Sequence, residues 1–584
     1  MNIIVKKFGG SSLGDIEKIK RVANLIIQSK EDGNDVVVVV SAMGKSTDEL
    51  NVLANTLSHN PNKRELDMLL SSGEQISMAL LAIALNEMGF PAISFTGSQV
   101  GIITESSHGK ARILEIKTDR IQSLLSQDYV VVIAGFQGMT LGDNRSIEIT
   151  TLGRGGSDTS AVALASSLNA ERCEIYTDVP GVLTTDPRIV PEAKLLESIT
   201  CEEMLELASL GANVLHPRAV EIARNYGVKL YVKSSFNNNT GTILTSQKST
   251  RDTNQDGLEL SKPVNSLEIL DNQVILSLSH VPDKPGIAAN LFETLSKANI
   301  SVDLIIQATH EGNNNDISFT VNNEDFANAK NQCEELIKHI GGELTWSSSM
   351  AKISIQGAGI MGRPSISANL FETLSQANIN VRLIATSEIK VSCVIDTKNR
   401  DKASRAITDT FNLQKQQINI NEFRKNIDYP EVRGIALDTN QSQVSIKNIP
   451  DKPGVAASIC LALSEANIIF DTIVQSERFS TEGTKDISFT LNKLDIVDAE
   501  KALKELTKDW SGSSIEYGKS IARVSAVGAG MATTAGTAGK IFRALANEKI
   551  NIDMIATSEI RTSCIVSKED GNNAVRAIHE FFNL

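Results

Sequence analysis

Four glycine-rich stretches and a Ser-Gly-Glu step hold the residue types that phosphate and carboxylate chemistry requires. In Lys7-Phe8-Gly9-Gly10-Ser11-Ser12 an apolar run ends in two glycines, which let backbone N–H groups approach an anion. Lys7 adds a full positive charge and the following helix a partial one. Such a loop is a phosphate cradle, and read alone it fits a plain tight turn equally well. It is not a Walker A loop, because no G-x-x-x-x-G-K-[ST] occurs in the chain. Ser41-Ala42-Met43-Gly44-Lys45-Ser46-Thr47-Asp48 follows a second apolar run, where ligands of open α/β sheets collect. Thr47 and Asp48 also read as a helix cap. In Ser72-Gly73-Glu74 the carboxylate reads as opening a helix, where the dipole favours it whatever its function. Thr151-Leu152-Gly153-Arg154-Gly155-Gly156-Ser157-Asp158-Thr159 sets Arg154 among three glycines, leaving its guanidinium fork able to reach a carboxylate or phosphate. Tyr176-Thr177-Asp178-Val179-Pro180-Gly181, with Thr185-Asp186-Pro187-Arg188 behind it, offers hydroxyl, carboxylate and guanidinium groups to a nucleotide. Its Pro and Gly equally mark turns.

These loops need a scaffold, and the apolar pattern supplies one. Residues 3–8, 36–40, 129–134, 174–177 and 229–232 read as strands; residues 15–29, 77–88, 159–168 and 201–210 read as helices. Unalternating runs such as the five valines at 36–40 fit strands covered on both faces. Strand alternating with helix predicts an α/β sandwich with a mostly parallel sheet over residues 1–247. The polar, turn-rich stretch 248–264 reads as a linker.

Beyond the linker the sequence repeats. VPDKPGIAANLFETLSKANISVDLIIQ (281–307) returns as IPDKPGVAASICLALSEANIIFDTIVQ (449–475), and IATSEIKVSCVI (384–395) as IATSEIRTSCIV (555–566). The order is A-B-A′-B′, four modules over 265–345, 346–415, 430–515 and 516–584, each patterned as a ferredoxin-like βαββαβ unit. Units this small should pair sheets with their neighbours, and the seams suit a small ligand. Gly357-Ala358-Gly359-Ile360-Met361-Gly362 fits a dinucleotide fingerprint, but its counterpart at 528–533 lacks the last glycine and the module is too short for that fold.

The chain has 584 residues, enough for about three to six domains. Hydrophobic residues at 41% and charged residues at 22% exclude collagen-like, disordered and coiled-coil classes. A net charge of −13 gives no broad cationic footprint, so neither nucleic acid nor an anionic membrane is expected as partner. Six scattered cysteines without a C-x-x-C pair predict buried free thiols. A start without signal-peptide character and the absence of 18 consecutive apolar residues predict a cytoplasmic location.

Together the stretches resemble the amino-acid-kinase superfamily, and within it the aspartokinases most closely. AGFQG (134–138), YTDVPGVLTTDPR (176–188), LGANVLHPRAV (210–220) and VKSSF (232–236) extend the likeness, and the repeats are similar to ACT modules, the amino-acid-sensing units of that family. Two mild departures are Ser12, where the family usually has Gly-Gly-Thr-Ser, and Pro180, where Asp is common. The resemblance implies ATP-dependent transfer of a phosphoryl group to the side-chain carboxylate of L-aspartate, giving 4-phospho-L-aspartate. It implies that Lys7, Gly9, Gly10 and Ser11 hold the ATP phosphates, that Asp158 positions Lys7, and that Thr177, Asp178, Asp186, Arg188 and Lys233 line the nucleotide side. Aspartate would meet Ser41, Thr47, Glu74 on its ammonium and Arg154 on its α-carboxylate, with Mg²⁺ carried by the ATP phosphates and no metal held by the protein. Feedback by lysine, threonine or both is implied at Asp283, Gly286, Ile287 and Gln307, at Asp451, Gly454, Val455 and Gln475, and at Ser387-Glu388 and Ser558-Glu559. The resemblance further implies that strands near 266–269 and 432–436 complete the following B units. A homodimer follows from the habit of such modules to pair between chains. The chemistry agrees: an aspartate side chain, with a reference pKa of about 3.9, arrives ionised and needs no general base. The alternative is a catalytically inactive amino-acid sensor built on the module array.

Overall fold

The computed structural model describes residues 2–141, 146–210, 214–237, 239–245, 258–259, 263–309, 314–360, 362–414, 418–420, 429–476, 483–532 and 534–584. The chain forms two compact units. The first comprises Met1–Leu183, Leu195–Ala208 and Asn213–Ser261; the second comprises Thr184–Lys194, Ser209–Ala212 and Lys262–Leu584.

In the first unit an eight-stranded sheet runs in the order Ser198–Thr200, Thr242–Thr245, Leu230–Ser234, Arg172–Thr177, Ile3–Phe8, Asp35–Val40, Val130–Ala134, Ala92–Phe95. Every pair is parallel except Leu230–Ser234 with Thr242–Thr245. The valine run Asp35–Val40 is buried along its whole length, as a strand covered on both faces must be. Helices Ile16–Glu31, Lys63–Glu87 and Gly156–Ser167 flank the sheet, and a separate four-stranded sheet holds Ile113–Ile116, Ile102–Thr104, Gln137–Leu141 and Ile147–Thr151.

One expectation needs correction. Glu74 does not open a helix: Asn62 caps the helix Lys63–Glu87 with its side chain, so Glu74 lies a full three turns inside it and gains nothing from the terminus. That helix is long and apolar enough to cross a membrane by length and composition, and half of its apolar window is buried within the protein. The linker stretch lies outside the described residues except for Leu258, Glu259, Pro263 and Val264. Of these, Leu258 and Glu259 fold onto the first unit by bonding to the backbone of Leu114 and Ile113.

The second unit is one continuous path of twelve strands, with two more alongside. The strand Ser266–Pro282 serves two modules: Ser266–Leu270 pairs with Lys352–Gln356 of B, and Gln273–Leu278 with Ile317–Asn322 of A. Gly434–Asp438 likewise pairs with Arg523–Val527 of B′. Modules pair crosswise. Val302–Thr309 of A bonds to Met554–Thr557 of B′, and helix Ile287–Lys297 packs on Thr537–Asn547. Helix Val455–Glu465 of A′ packs on Pro364–Gln376 of B, and Ile473 N–H donates to Thr386 Oγ1 at 3.2 Å. The dinucleotide-like glycines have a packing role: a Cβ on Gly357 or Gly359 would strike the backbone of Pro263, and one on Gly528 or Gly530 that of residues 429–432. All six cysteines are free and buried, and burial pushes their thiols up.

Candidate active site

Side chains alternate along the strand Ile3–Phe8, so Lys6 and Lys7 leave it on opposite faces. Lys6 is buried, with Nζ 3.0 Å from the Leu25 carbonyl and 3.5 Å from Oε2 of Glu174. Glu174 also receives Arg172 Nε at 2.8 Å, Lys233 Nζ at 3.4 Å and the Tyr176 hydroxyl at 2.9 Å. Burial works to raise the Glu174 carboxyl, but Lys6, Lys233 and Arg172 outweigh it and bring the pKa down to about 2. Lys7 makes a different pair: its Nζ is 2.6 Å from Oδ1 of Asp158.

Asp158 sits in the first turn of Gly156–Ser167, where the helix terminus favours a carboxylate. Its second oxygen accepts the His216 backbone N–H at 3.4 Å. The entry to this helix demands glycine at position 155, which has φ +67° and lies so close to the His216 ring that a Cβ would come within 2.2 Å of it. His216 is itself structural. Its Nδ1 accepts the Arg218 N–H at the start of helix Pro217–Tyr226, and burial, aided by Arg218, lowers its pKa. Arg154, four residues ahead of Asp158, is exposed and has no hydrogen-bond or ion-pair partner among the described residues.

The two loops after strands Ile3–Phe8 and Asp35–Val40 cross each other. Gly44 N–H donates to the Gly10 carbonyl at 3.0 Å, Ser41 N–H to the Phe8 carbonyl at 3.1 Å, and a Cβ on Gly10 would lie 2.7 Å from the Ala42 carbonyl. Gly9 N–H donates to the Tyr176 carbonyl, and a Cβ on Gly9 would lie 3.5 Å from Lys7 Nζ. Ala42 in turn donates its N–H to Oε1 of Glu74 at 3.1 Å. Glu74 is 3% exposed, and its Oε2 has no hydrogen-bond partner among the described residues. Burial raises its carboxyl to about 7 against the opposing backbone hydrogen bonds of Glu74 itself and Ala42. Contacts thus run without a gap from Asp158 through Lys7, the Gly9-Gly10 loop and Ala42 to Glu74.

The remaining predicted residues are placed less centrally. Ser11 is exposed, and Thr47 is half-buried in the first turn of Ser46–Leu57. Thr177 donates to Asp178 at 3.1 Å. Lys233 is on the Glu174 face of the sheet, not the Lys7 face. Asp186 and Arg188 hold each other at 2.6 Å on the segment Thr184–Lys194, which belongs to the second unit.

Several site-building residues escaped the sequence reading. Ser12, one of the two departures, hydrogen-bonds Ser235 at 2.8 Å and ties the first glycine loop to the end of strand Leu230–Ser234. Asp67, fully buried, accepts Thr151 Oγ1 at 2.5 Å, the Gly109 N–H at 3.0 Å and pairs with His108 Nδ1 at 2.8 Å. Seven residues separate Asp67 from Glu74, two turns on one helix face; placing the helix start at Lys63 would have disclosed the pair.

In the second unit the seams hold the repeated loops. Gly286 and Gly454, both in the left-handed region, open helices Ile287–Lys297 and Val455–Glu465. Asp283, Ile287 and Gln307 of A meet B′, where Gln307 Nε2 donates to the Ile552 carbonyl at 2.6 Å. Asp451, Val455 and Gln475 of A′ meet B, where Gln475 donates to the Val381 carbonyl at 2.9 Å. Each seam encloses only about 20 Å³, room for roughly one water. A larger cavity of about 510 Å³ opens where A, B and B′ meet, lined by Asp303, Lys352, Thr537, Ser558 and Glu559. Ser558 Oγ is buried and has no hydrogen-bond partner among the described residues, while Glu388 lies 3.8 Å from Arg561 and is next to Ser387.

Residues 2–234 match the amino acid kinase family, and residues 277–336, 353–411 and 524–582 match the ACT domain. The aspartokinase of Bacillus sp. (strain MGA3) is 47% identical over 416 residues, 71% of this chain and 98% of the relative. The aspartokinase of Thermus thermophilus is 44% identical over 417 residues, 71% of this chain and all of the relative. A crystal structure of aspartate kinase from Synechocystis is 48% identical, covers all of this chain and 98% of its own, and superposes with a TM-score of 0.87.

Proposed function

Because this chain belongs to the aspartokinase family, and is thereby an ATP-dependent kinase acting on aspartate, we propose that the Lys7–Asp158 pair and the crossed glycine loops form its phosphoryl-transfer site. Lys7, with the N–H groups of Gly9, Gly10 and Ser11, takes the ATP phosphates, and Asp158 holds the ammonium in place between turnovers. Thr177 and Asp178 border the nucleotide, and Lys233 joins them only by leaving Glu174. Mg²⁺ would come in with the ATP phosphates and offset their charge; Asp158 and Glu74 are already engaged with Lys7 and the Ala42 N–H.

Aspartate enters beside Glu74, whose buried oxygen without a partner suits the substrate ammonium. Arg154, exposed and unpaired among the described residues, takes the α-carboxylate, with Ser41 and Thr47 at the side. The side-chain carboxylate then attacks the γ-phosphorus, ADP leaves, and 4-phospho-L-aspartate forms. No residue needs to remove a proton, so positioning and charge neutralisation are the whole task. The observation that carries the reading is the 2.6 Å Lys7–Asp158 contact at the glycine loop. Incubation with ATP, Mg²⁺ and aspartate, with the acyl phosphate trapped by hydroxylamine, tests it; no hydroxamate would leave the inactive-sensor alternative.

The second unit senses amino acids. Lysine, threonine or both bind at the A–B′ and A′–B pairs and lower activity through a coupling of about 1–3 kcal/mol. Since the seams are closed to about one water, a ligand there must spread them, which supplies the conformational signal. The modules pair within one chain, so a homodimer is no longer required by module pairing; sedimentation of the full chain tests it.

A further inference from the structure

We infer that the two module pairs are electrically unequal: A with B′ is built to receive the ammonium group of a free amino acid, whereas A′ with B supplies its own cation, Lys485, at the same place. The inference rests on the reading of the second unit as a sensor and specifies which half of it senses.

The repeat allows position-by-position comparison. In NDISFT (315–320) and KDISFT (485–490), Asn315 corresponds to Lys485. Among the described residues Asp283 of A accepts only neutral amides, Asn315 Nδ2 at 2.8 Å and Asn551 Nδ2 at 2.7 Å. Its counterpart Asp451 accepts Asn380 Nδ2 at 2.8 Å, the equivalent of Asn551, but its other partner is Lys485 Nζ at 2.9 Å. Lys485 is 3% exposed and also donates to the Val381 carbonyl at 3.1 Å. One seam therefore offers a carboxylate held by neutral donors, and the other a carboxylate already neutralised from within.

A second pair of positions lies where the two halves meet. Asp303 and Asp471 correspond in VDLIIQ and FDTIVQ, Glu559 and Glu388 in the two TSEI segments. Around Asp303 stands Lys352, while Lys390 turns away to bridge Glu559 and Glu268. Around Asp471 stand two arginines: Arg523, the counterpart of Lys352, and Arg561, the counterpart of Lys390. Arg561, with a side chain 1% exposed, reaches Asp471 at 3.6 Å and Glu388 at 3.8 Å, spanning the acid pair. Ala436 takes the place of Glu268, so nothing draws that guanidinium aside. The corresponding acids Asp303 and Glu559 instead border the 510 Å³ cavity. Each of these acid pairs thus has two cations, Lys352 and Lys390 of B on one and Arg523 and Arg561 of B′ on the other, so the cation internal to the A′–B half and missing from the A–B′ half is Lys485 at Asp451. A further cation brought against Lys485 would meet like charge in a desolvated place, while one brought to Asp283 would complete its compensation.

Calorimetric titration of the full chain with L-threonine and, separately, L-lysine tests the inference. Each amino acid that binds should do so at one equivalent per chain. Asn315→Lys, which gives the first seam the residue of the second, should weaken binding at Asp283 by at least tenfold, and Lys485→Asn should add an equivalent. Asp451→Asn should leave the native affinity unchanged. Activity without effector should stay at the native level in all three, as a check on folding, since none lies in the kinase unit. Unimpaired binding by Asn315→Lys, or lost binding in a folded Asp451→Asn, overturns the inference. Failure of both amino acids to bind the native chain overturns the sensor reading beneath it as well.

Discussion

Lys7 Nζ stands 2.6 Å from Oδ1 of Asp158, a residue 151 positions away, so the charge at the glycine loop is held by a helix that also begins the Arg154 turn. Both side chains are about nine-tenths buried, and the pair is compensated on each side. Breaking it should act on chemistry more than on the fold. Lys7→Ala should lower kcat by roughly 10²–10³-fold or more, the scale of losing one preorganised charge, with the circular dichroism spectrum unchanged. Asp158→Asn should lower kcat by a smaller factor, because the ammonium remains without its anchor. Native kcat in Lys7→Ala would remove the residue from the mechanism.

Arg154 has an exposed guanidinium with no protein partner among the described residues, so truncation costs the fold little and the substrate much. A charge-assisted hydrogen bond contributes about 1.5–3 kcal/mol. Arg154→Ala should therefore raise the aspartate KM by roughly 10- to 150-fold with the ATP KM within a factor of about two. Initial-rate measurements with each substrate varied in turn decide it; parallel rises in both would mean that the loop has collapsed.

Much of this arrangement was legible in the sequence, and the failures have physical causes. The valine run 36–40, the glycine loops and the repeat each leave a local pattern, and the valine run is found as a strand buried along its length. Glu74 was misplaced on its helix because the start signal, Asn62 and the turn before it, lies twelve residues upstream of the chemistry. The crosswise pairing of modules leaves no local trace, since A could meet B or B′ with the same apolar faces. The resemblance implies a nucleotide-side role for Lys233, and strand alternation places its side chain with Glu174, at 3.4 Å. The Asn315 and Lys485 difference was present in the repeat itself and needed only the partner acids to acquire meaning.

Glu74 gives the site a pH dependence with a definite sign. Burial holds its carboxyl at about 7 in the free enzyme, so near neutrality it is partly protonated, and a protonated carboxyl cannot take the substrate ammonium. Protons and aspartate compete. The aspartate KM should be flat above pH 8 and rise roughly tenfold between pH 8 and pH 6, while kcat changes little. Glu74→Gln should have a high KM without that slope. An unchanged native KM across this range would show that the ammonium is held elsewhere.

Gly155 is fixed by contact as well as by conformation. Alanine there would have φ +67° and a Cβ 2.3 Å from His216 Cβ, so shortening His216 to alanine cannot relieve it. The backbone strain alone is about 1–3 kcal/mol. Gly155→Ala should lower the first thermal transition and raise the aspartate KM through Arg154, and the double variant with His216→Ala should recover neither. Full recovery would place the conflict in the imidazole.

Glu259, read from sequence as linker, ends as a structural acid of the first unit. Both of its oxygens accept from Arg218 at 2.8 Å, one also accepts the Ile113 N–H at 2.6 Å, and Arg218 continues to the carbonyls of Ala111 and Leu152. Leu152 directly precedes the Gly153-Arg154-Gly155 turn, so the pair sets the height of the loop that carries the guanidinium proposed to bind aspartate. Removing one partner leaves the other buried and uncompensated, at a cost of roughly 3–5 kcal/mol, whereas removing both with apolar residues of similar size costs far less. Glu259→Ala should therefore destabilise the first unit and raise the aspartate KM together, and Arg218→Met combined with Glu259→Leu should restore the melting transition but not the KM. Recovery of both would mean that Arg218 stabilises the unit without positioning the loop.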